Sequence, residues 1–334
     1  MNEDRILLAH GNGGRFMREL IMELFARHLA NPVLDTDADA VLLPGLSGEI
    51  MVTTDGFTVQ PLEFPGGDLG SLAVHGVVND LAVAGAEPCY FTLSAIIEEG
   101  LEVALLDRLI ASFAKAAKEN SAQVAAGDTK VVRHGEGGGL YLTVAGIGVR
   151  AAQQTLGMKQ IAPGDAILVS GPVGDHGISV MLAREQFGLS GEVQSDSASV
   201  LPLARAVWNL PGLKFMRDPT RGGLATVTHE IAQGTGCTVT LEEPHIPVRD
   251  AVNSVCEMLG YDPYYLACEG RIVAVASLDA AESILKAWQA LPGGEAAARI
   301  GHVDEGSPRV ILETELGGRR MLEELEDDPL PRIC

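Results

Sequence analysis

Four aspartates stand where carboxylates could meet a cation: Asp55 in TTDGF, Asp80 in VVNDLAVAG, Asp128 in AAGDTKVV and Asp218 in RDPTRGG. Three of them follow or interrupt apolar segments, where a carboxylate needs a partner. Several carboxylates from separate acidic turns suit magnesium, which takes a few of them together with phosphate oxygens and water. Asp55, Asp80, Asp128 and Asp218 are therefore the candidate metal ligands. The glycine turn His10-Gly11-Asn12-Gly13-Gly14 runs directly into a helical stretch. Its backbone N–H groups and the helix N-terminus could cradle phosphates. It is not a Walker A loop, because GxxxxGK[ST] is absent. Thr129, Lys130 and Arg221 would complete a nucleotide site beside these groups. Singly, each residue also reads as an ordinary turn, cap or solvated charge. Their joint occurrence carries the reading of a nucleotide and metal site.

The sequence closes on PRIC, with Cys334 as the last residue. A terminal thiol serves no core, and it is not a prenylation signal, which places its cysteine four residues from the end. It is either accidental or presented for chemistry. The twelve residues EELEDDPLPRIC hold five acidic residues and two prolines. Such a segment has little to bury and reads as an extended, mobile tail. The other cysteines, Cys89, Cys237, Cys256 and Cys268, are scattered and form no CxxC pair. Neither a disulfide framework nor a zinc site is indicated. A reducing cytoplasm fits best.

The elements that must position these residues come in two sets. The chain has 334 residues, more than one core usually holds, so two domains are expected. Up to about residue 150 we read a short strand near 4–8 and a helix over 15–29. A strand ending at TTDGF and a buried helix over 69–86 follow. YFTLSAII then reads as a strand, 102–119 as an amphipathic helix, and QVAAGDTKVV and LYLTVAGIGV as two further strands. Beyond 150 come a strand and glycine loop at ILVSGPVGDHG and a loop into a helix at RDPTRGGLATV. CTVTLEE and ACEGRIVAVAS read as strands, DAAESILKAWQAL as a helix, and two more strands close the set. Hydrophobic residues make up 46% and glycines number 39; without a G-X-Y period these are loop glycines. A net charge of −21 excludes a generally basic nucleic-acid surface. No apolar run reaches the length of a membrane span, and the N-terminal residues do not form a signal peptide.

Taken together, LAHGNGG, TTDGF, FPGGDLG, VVNDLAVAG, GDTKVV, SGPVGDHG, RDPTRGG, CEGR and the terminal PRIC resemble the HypE family of hydrogenase maturation proteins. These are carbamoyl dehydratases of the superfamily of aminoimidazole ribonucleotide synthetase and selenophosphate synthetase. The resemblance covers nearly the whole chain. It implies a two-domain PurM-like α/β (α+β) fold. Residues 1–150 would bind ATP and pair as a homodimer through their sheet, 151–322 would form an α+β domain, and 323–334 would be the tail. It implies ATP and Mg2+ as cofactors, with Asp55, Asp80, Asp128 and Asp218 as metal and nucleotide ligands and Gly11, Asn12, Gly13 and Gly14 as a phosphate cover. Cys334 becomes the carrier of the substrate group. A carbamoyltransferase, HypF, would load it, and the cyanide made there would pass to an iron on a HypC–HypD complex. Lys130 would stabilise developing charge. Glu269 in CEGR is the first candidate for the base and His10 the second. The rival readings are a selenophosphate synthetase and a non-catalytic thiol carrier. Against the former, no cysteine precedes Cys89.

Overall fold

The computed structural model describes residues 3–36, 38, 40–151, 156–184 and 192–326. Cys334 and the rest of PRIC lie outside them.

The N-terminal half opens with a 3₁₀ turn, Leu8–Gly11, leading into α1 (Arg15–Leu20), a π-helical turn (Ile21–Ala26) and α2 (Arg27–Leu29). The strand expected near 4–8 is reduced to a single bridge between Arg5 and Glu102. Next come β1 (Glu49–Phe57), the short β2 (Glu63–Phe64) and β3 (Gly67–Asp68), α3 (Leu69–Val83), β4 (Ala86–Glu98), α4 (Val103–Glu119), β5 (Gln123–Val132) and β6 (Leu140–Arg150). The main sheet has the order β1-β6-β4-β5, so β1 and β5 are its edges. One face packs on α3 and α4 through Phe57, Phe91, Leu93, Leu142 and Val144. The opposite face carries Ile50, Val52, Ile96 and Tyr141 in the open, the first two 60% and 68% exposed. Register settles that these four share a face: Val52 pairs Ile147, an odd-numbered residue of β6 like Tyr141, and Tyr141 pairs Ile96.

Helix α3 is the hinge of the arrangement. Asp68 caps it, accepting from the Ser71 N–H at 2.9 Å. Its composition of small residues allows close approach. A Cβ on Gly70 would lie 2.0 Å from the Leu109 carbonyl oxygen of α4, and one on Gly76 would lie 2.6 Å from the Phe57 ring.

The second half contains β7 (Ala166–Val169), α5 (Asp175–Ala183), α6 (Leu201–Val207), β8 (Leu213–Arg217), α7 (Gly223–Thr235), β9 (Thr238–Glu242), α8 (Asp250–Leu259), β10 (Val273–Ala276), α9 (Leu278–Gln289), β11 (Ala298–Asp304), β12 (Arg309–Glu313) and β13 (Arg319–Met321). Its sheet runs β13-β12-β9-β11-β7-β10-β8. The central strands AILV and VAVA are buried on both faces. Ala166, Leu168, Ala274 and Ala276 enter one core and Ile167, Val169, Val273 and Val275 the other, the period-two alternation of a strand. The first of these cores is continuous with that of the N-terminal sheet. The two halves thus meet along a shared apolar layer. Among the described residues, no helix is long and apolar enough to cross a membrane.

Gly70→Ala should therefore destabilise the protein by about 2 kcal/mol or more, because the backbone it meets cannot yield like a side chain. Gly45→Ala, which meets nothing within 4 Å, should stay within about 0.5 kcal/mol. Urea unfolding of the two variants checks the contrast.

Candidate functional site

The structure gathers three of the four aspartates. Of these only Asp218 is in a loop. Asp55 lies on edge strand β1, and Asp80 sits in α3, one turn from its end. Asp80 reaches across to β1, where the Thr53 hydroxyl donates to its Oδ2 at 2.6 Å. Asp218 follows β8 in the other half and is buried. The chain turns there at two glycines with positive φ, Gly222 and Gly223, which cap and begin α7. Gly223 has no room for a side chain: a Cβ would lie 2.4 Å from the Leu266 carbonyl oxygen.

Burial pushes the Asp218 carboxyl up to about 7, with the charge of Asp80 raising it further. Asp80 is raised as well, by burial first; the Thr53 hydrogen bond opposes this and the charge of Asp55 adds to it. The charge of Arg217 works against both shifts. Asp55 makes an ion pair with Arg221 at 3.7 Å, from one half of the chain to the other. These groups line a cleft of about 360 Å³ between the two halves, to which Glu269 also contributes. A second groove of about 480 Å³ shares Asp80, Arg217 and Asp218 and continues over Met51, Leu81, Phe215 and Arg150. The chemistry of the donors, all oxygen and repelling one another, fits a hard divalent cation. Among the described residues no three His, Cys, Asp or Glu side chains form a metal-holding group by themselves.

The remaining predicted residues stand at the other edge of the sheet, on and beside β5. Asp128, Thr129 and Lys130 pair with Ser94, Ala95 and Ile96 of β4. Asp128 and Lys130 are exposed, on the open face. Asp128 reads both as an acidic turn and as part of the strand QVAAGDTKVV, and the strand is what is found: an exposed position on an edge strand tolerates a charge. Three strand spacings, about 14 Å, separate the β1 and β5 edges. Asp128 is thus not brought to Asp55, Asp80 and Asp218 within one chain. The glycine turn presses on the same strand; a Cβ on Gly11 would lie 2.8 Å from the Val131 Cβ. Asn12 ends the 3₁₀ turn, and Gly13 and Gly14 have positive φ with open space around them. His10 is buried, its Nδ1 accepting from the Leu7 N–H at 2.9 Å and its ring edge-on to Phe16. Between the helical stretch 17–29 and β5 lies an apolar cavity of about 190 Å³, lined by Phe25, Leu93 and Val124 and reaching Asp128 and Thr129. The Thr129 hydroxyl is buried there without a hydrogen-bond partner.

Two features escaped sequence reasoning. Arg217 stands beside Asp80 and Asp218, and the RDPTRGG motif that contains it was the available signal. Asn79, next to Asp80, is buried with its amide bonded across the cleft.

The chain matches the family model of AIR synthase related protein, N-terminal domain, over residues 36–150 and that of the C-terminal domain over 162–313. It is 45% identical over 329 residues to the carbamoyl dehydratase HypE of Azotobacter vinelandii, covering 98% of this chain and 96% of that one. The chain belongs to the HypE family. Within the family, a crystal structure of HypE in complex with ATP superposes with a TM-score of 0.93 at 42% identity, covering 98% of this chain and 99% of that one. That of a HypE–HypF complex does so with a TM-score of 0.80 at 41% identity, covering 92% and 99%. The two-domain fold expected of the family is the one found.

The sign of the pH dependence at Asp218 follows from its raised value. The folded state holds the proton more tightly than the unfolded chain. The stabilisation is full below about pH 4 and is lost as pH rises through about 7. Asp218→Asn should therefore be more stable than the wild type at pH 8, by on the order of 1–2 kcal/mol, given that one pKa unit corresponds to about 1.4 kcal/mol, and should melt at a higher temperature. The gap should close toward pH 4.5. Differential scanning calorimetry in nucleotide-free, chelated buffer across that range checks it.

Proposed function

We propose that this chain is an ATP-dependent carbamoyl dehydratase that converts an S-carboxamide on Cys334 into an S-thiocyanate, the source of cyanide for a hydrogenase iron. The observation that carries the reading is the cleft itself. It gathers three mutually repelling carboxylates between two halves of the chain, and the last described residues run to its rim. Leu322 accepts from His229 at 2.7 Å and Glu323 from the Tyr265 hydroxyl at 2.7 Å, while Leu325 lies against Gly222, beside Arg221. The eight residues from 327 to 334 could span about 26–29 Å when extended, enough for the thiol to enter the cleft or leave it for a partner.

A carboxamide cannot expel oxide at neutral pH. Its oxygen attacks the γ-phosphorus of ATP, and the bond to ADP breaks. One N–H proton is lost to give an O-phosphorylated imidate on sulfur. Loss of the second N–H proton then drives the C–O electron pair out with phosphate and leaves C≡N. Catalysis of such a transfer is mostly positioning and charge stabilisation. Asp55, Asp80 and Asp218 would hold Mg2+, whose charge would offset that of the phosphates. Glu269, buried and facing the cleft, is the base we favour for the nitrogen protons. His10 is disfavoured, because it is buried beside β5 and does not line the cleft that Glu269 faces. The glycine turn Gly11–Gly14 would cover phosphates, and the apolar cavity between residues 17–29 and β5 suits a purine.

Asp128, Thr129 and Lys130 join this site through a second copy. The open sheet face with Ile50, Val52, Ile96 and Tyr141 needs a cover, and a two-fold pairing of such faces sets the β5 edge of one protomer beside the β1 edge of its partner. The carbamoyl donor would be a HypF-type transferase and the acceptor an iron complex of the HypC–HypD kind, with the protein working in the cytoplasm. The alternative of an inert thiol carrier leaves the repelling carboxylates without a purpose.

Two experiments test this reading. Mixing Asp80→Asn and Asp128→Asn chains, each inactive alone, should restore about a quarter of wild-type activity, because half of the dimers then hold one complete site in two. No restoration would place Asp128 outside the partner's site. Cys334→Ala should take up no carbamoyl group while binding Mg-ATP normally; mass spectrometry after incubation with the carbamoyl donor decides, and a normal mass gain would end the carrier assignment.

A further inference from the structure

Glu269 lies in a loop, outside any strand ladder, yet both of its backbone polar groups are bound. Its N–H donates to Asp196 Oδ1 at 3.1 Å. Its carbonyl oxygen accepts from the Asn79 side-chain amide at 3.1 Å and from the Ala198 N–H at 3.3 Å. Asp196 and Ala198 belong to one stretch, 194–200, that is clasped by both halves of the chain. Ser195 N–H donates to Pro65 O at 2.8 Å on the N-terminal side, and Asp196 faces Arg271 at 3.4 Å on the other. Gly270, next to Glu269, is pressed so tightly on this stretch that a Cβ would lie 1.9 Å from the Asp196 carbonyl oxygen.

Asn79 is the piece of this clasp that comes from α3. It is 1% exposed. Its Oδ1 accepts from Val200 N–H at 2.8 Å, and its Nδ2 donates both protons, to Ala198 O at 3.0 Å and to Glu269 O. Both amide donors are used, and the oxygen is engaged. Asp80, the next residue, is the carboxylate at the centre of the cleft. One turn of α3 thus fixes a cation ligand on one side and the peptide of the proposed base on the other. The contact is not needed merely to dock α3, which is also held by Trp208 Nε1 donating to Ala82 O at 2.9 Å and by the shared core.

We infer that Asn79 is a positioning residue that sets the Glu269 carboxylate against the Asp80 cluster across the boundary between the two halves. The inference rests on the reading of Glu269 as base. A base must sit within hydrogen-bond reach of its proton, and small misplacements cost large rate factors. A carboxylate on an otherwise irregular loop needs such second contacts to stay in register.

The test uses full-length protein carbamoylated by its transferase, with single-turnover loss of water followed by mass spectrometry on addition of Mg-ATP. Asn79→Ala should slow dehydration roughly tenfold or more, while its affinity for Mg-ATP changes less than about twofold. In a Glu269→Asp background, which displaces the carboxylate already, Asn79→Ala should slow the step less than about twofold further, because coupled residues are not additive. If Asn79→Ala does not fold, Asn79→Ser provides the same comparison with a smaller loss of contacts. A folded Asn79 variant with an unchanged rate would overturn the inference, as would an equal slowing in both backgrounds, the mark of general loosening. Full activity of Glu269→Gln would instead remove the base assignment beneath it, an outcome seen without any Asn79 variant.

Discussion

The constraint on which the structure depends is the repulsion between Asp80 and Asp218. Two carboxylates from opposite halves of the chain meet in one cleft, Asp218 buried and Asp80 half-buried; the charge of Asp80 raises the proton affinity of Asp218, and that of Asp55 raises both. Folding brings them together against their own electrostatics, which only a strong apolar interface can impose. That interface is the core shared by α3, the N-terminal sheet and one face of the second sheet. The cost is local and is relieved by whatever positive charge enters. Arg217 and Arg221 supply part of it, and a divalent cation carrying phosphates would supply the rest. A site that is uncomfortable when empty is one whose ligand binding is driven partly by relief.

Much of this was legible in the residues. The strand over EIMVTTDGF, the helix that follows FPGGDLG and the loop of RDPTRGG fall where periodicity and glycine placement set them. The carboxylates on them were recognisable because they interrupt apolar runs. Less legible was the form of their surroundings. Asp80 reads both as an acidic turn and as part of a buried helix over 69–86, and α3 runs straight through it, because small neighbours and burial of the helix outweigh local preference. Asp55 and Asp128 read as turn residues within strand-like stretches, and they lie on the two edge strands. Helices α6 and α8 carried no caps strong enough to betray them: Val200 and Arg249 begin them without a side-chain hydrogen bond.

What no single sequence could supply is the distance between Asp128 and the other three aspartates. Motifs come without a sheet order. Only the order β1-β6-β4-β5 shows that GDTKVV and TTDGF occupy opposite edges. The same order exposes an apolar face and so converts one puzzle into the answer to another. A sheet that leaves Ile50 and Val52 in water has an incomplete surface, and a site that lacks Asp128 and Lys130 has an incomplete ligand set. The proposed pairing of two copies would complete both.

The clasp around Glu269 extends this logic to the reaction. The substrate is proposed to ride on the protein's own chain end, so its approach is set by a tether rather than by diffusion from bulk. A tether limits how far a group can travel and does not by itself fix its orientation. Accuracy must then come from the walls it meets. The wall here is built with little freedom, since Glu269 is bound at both backbone groups, Gly270 is wedged against the stretch 194–200, and Asn79 joins them to the helix that bears Asp80. Loose delivery and rigid reception are complementary. If Cys334 is to serve more than one partner, as proposed, the accuracy of the reaction has to reside in the cleft it enters.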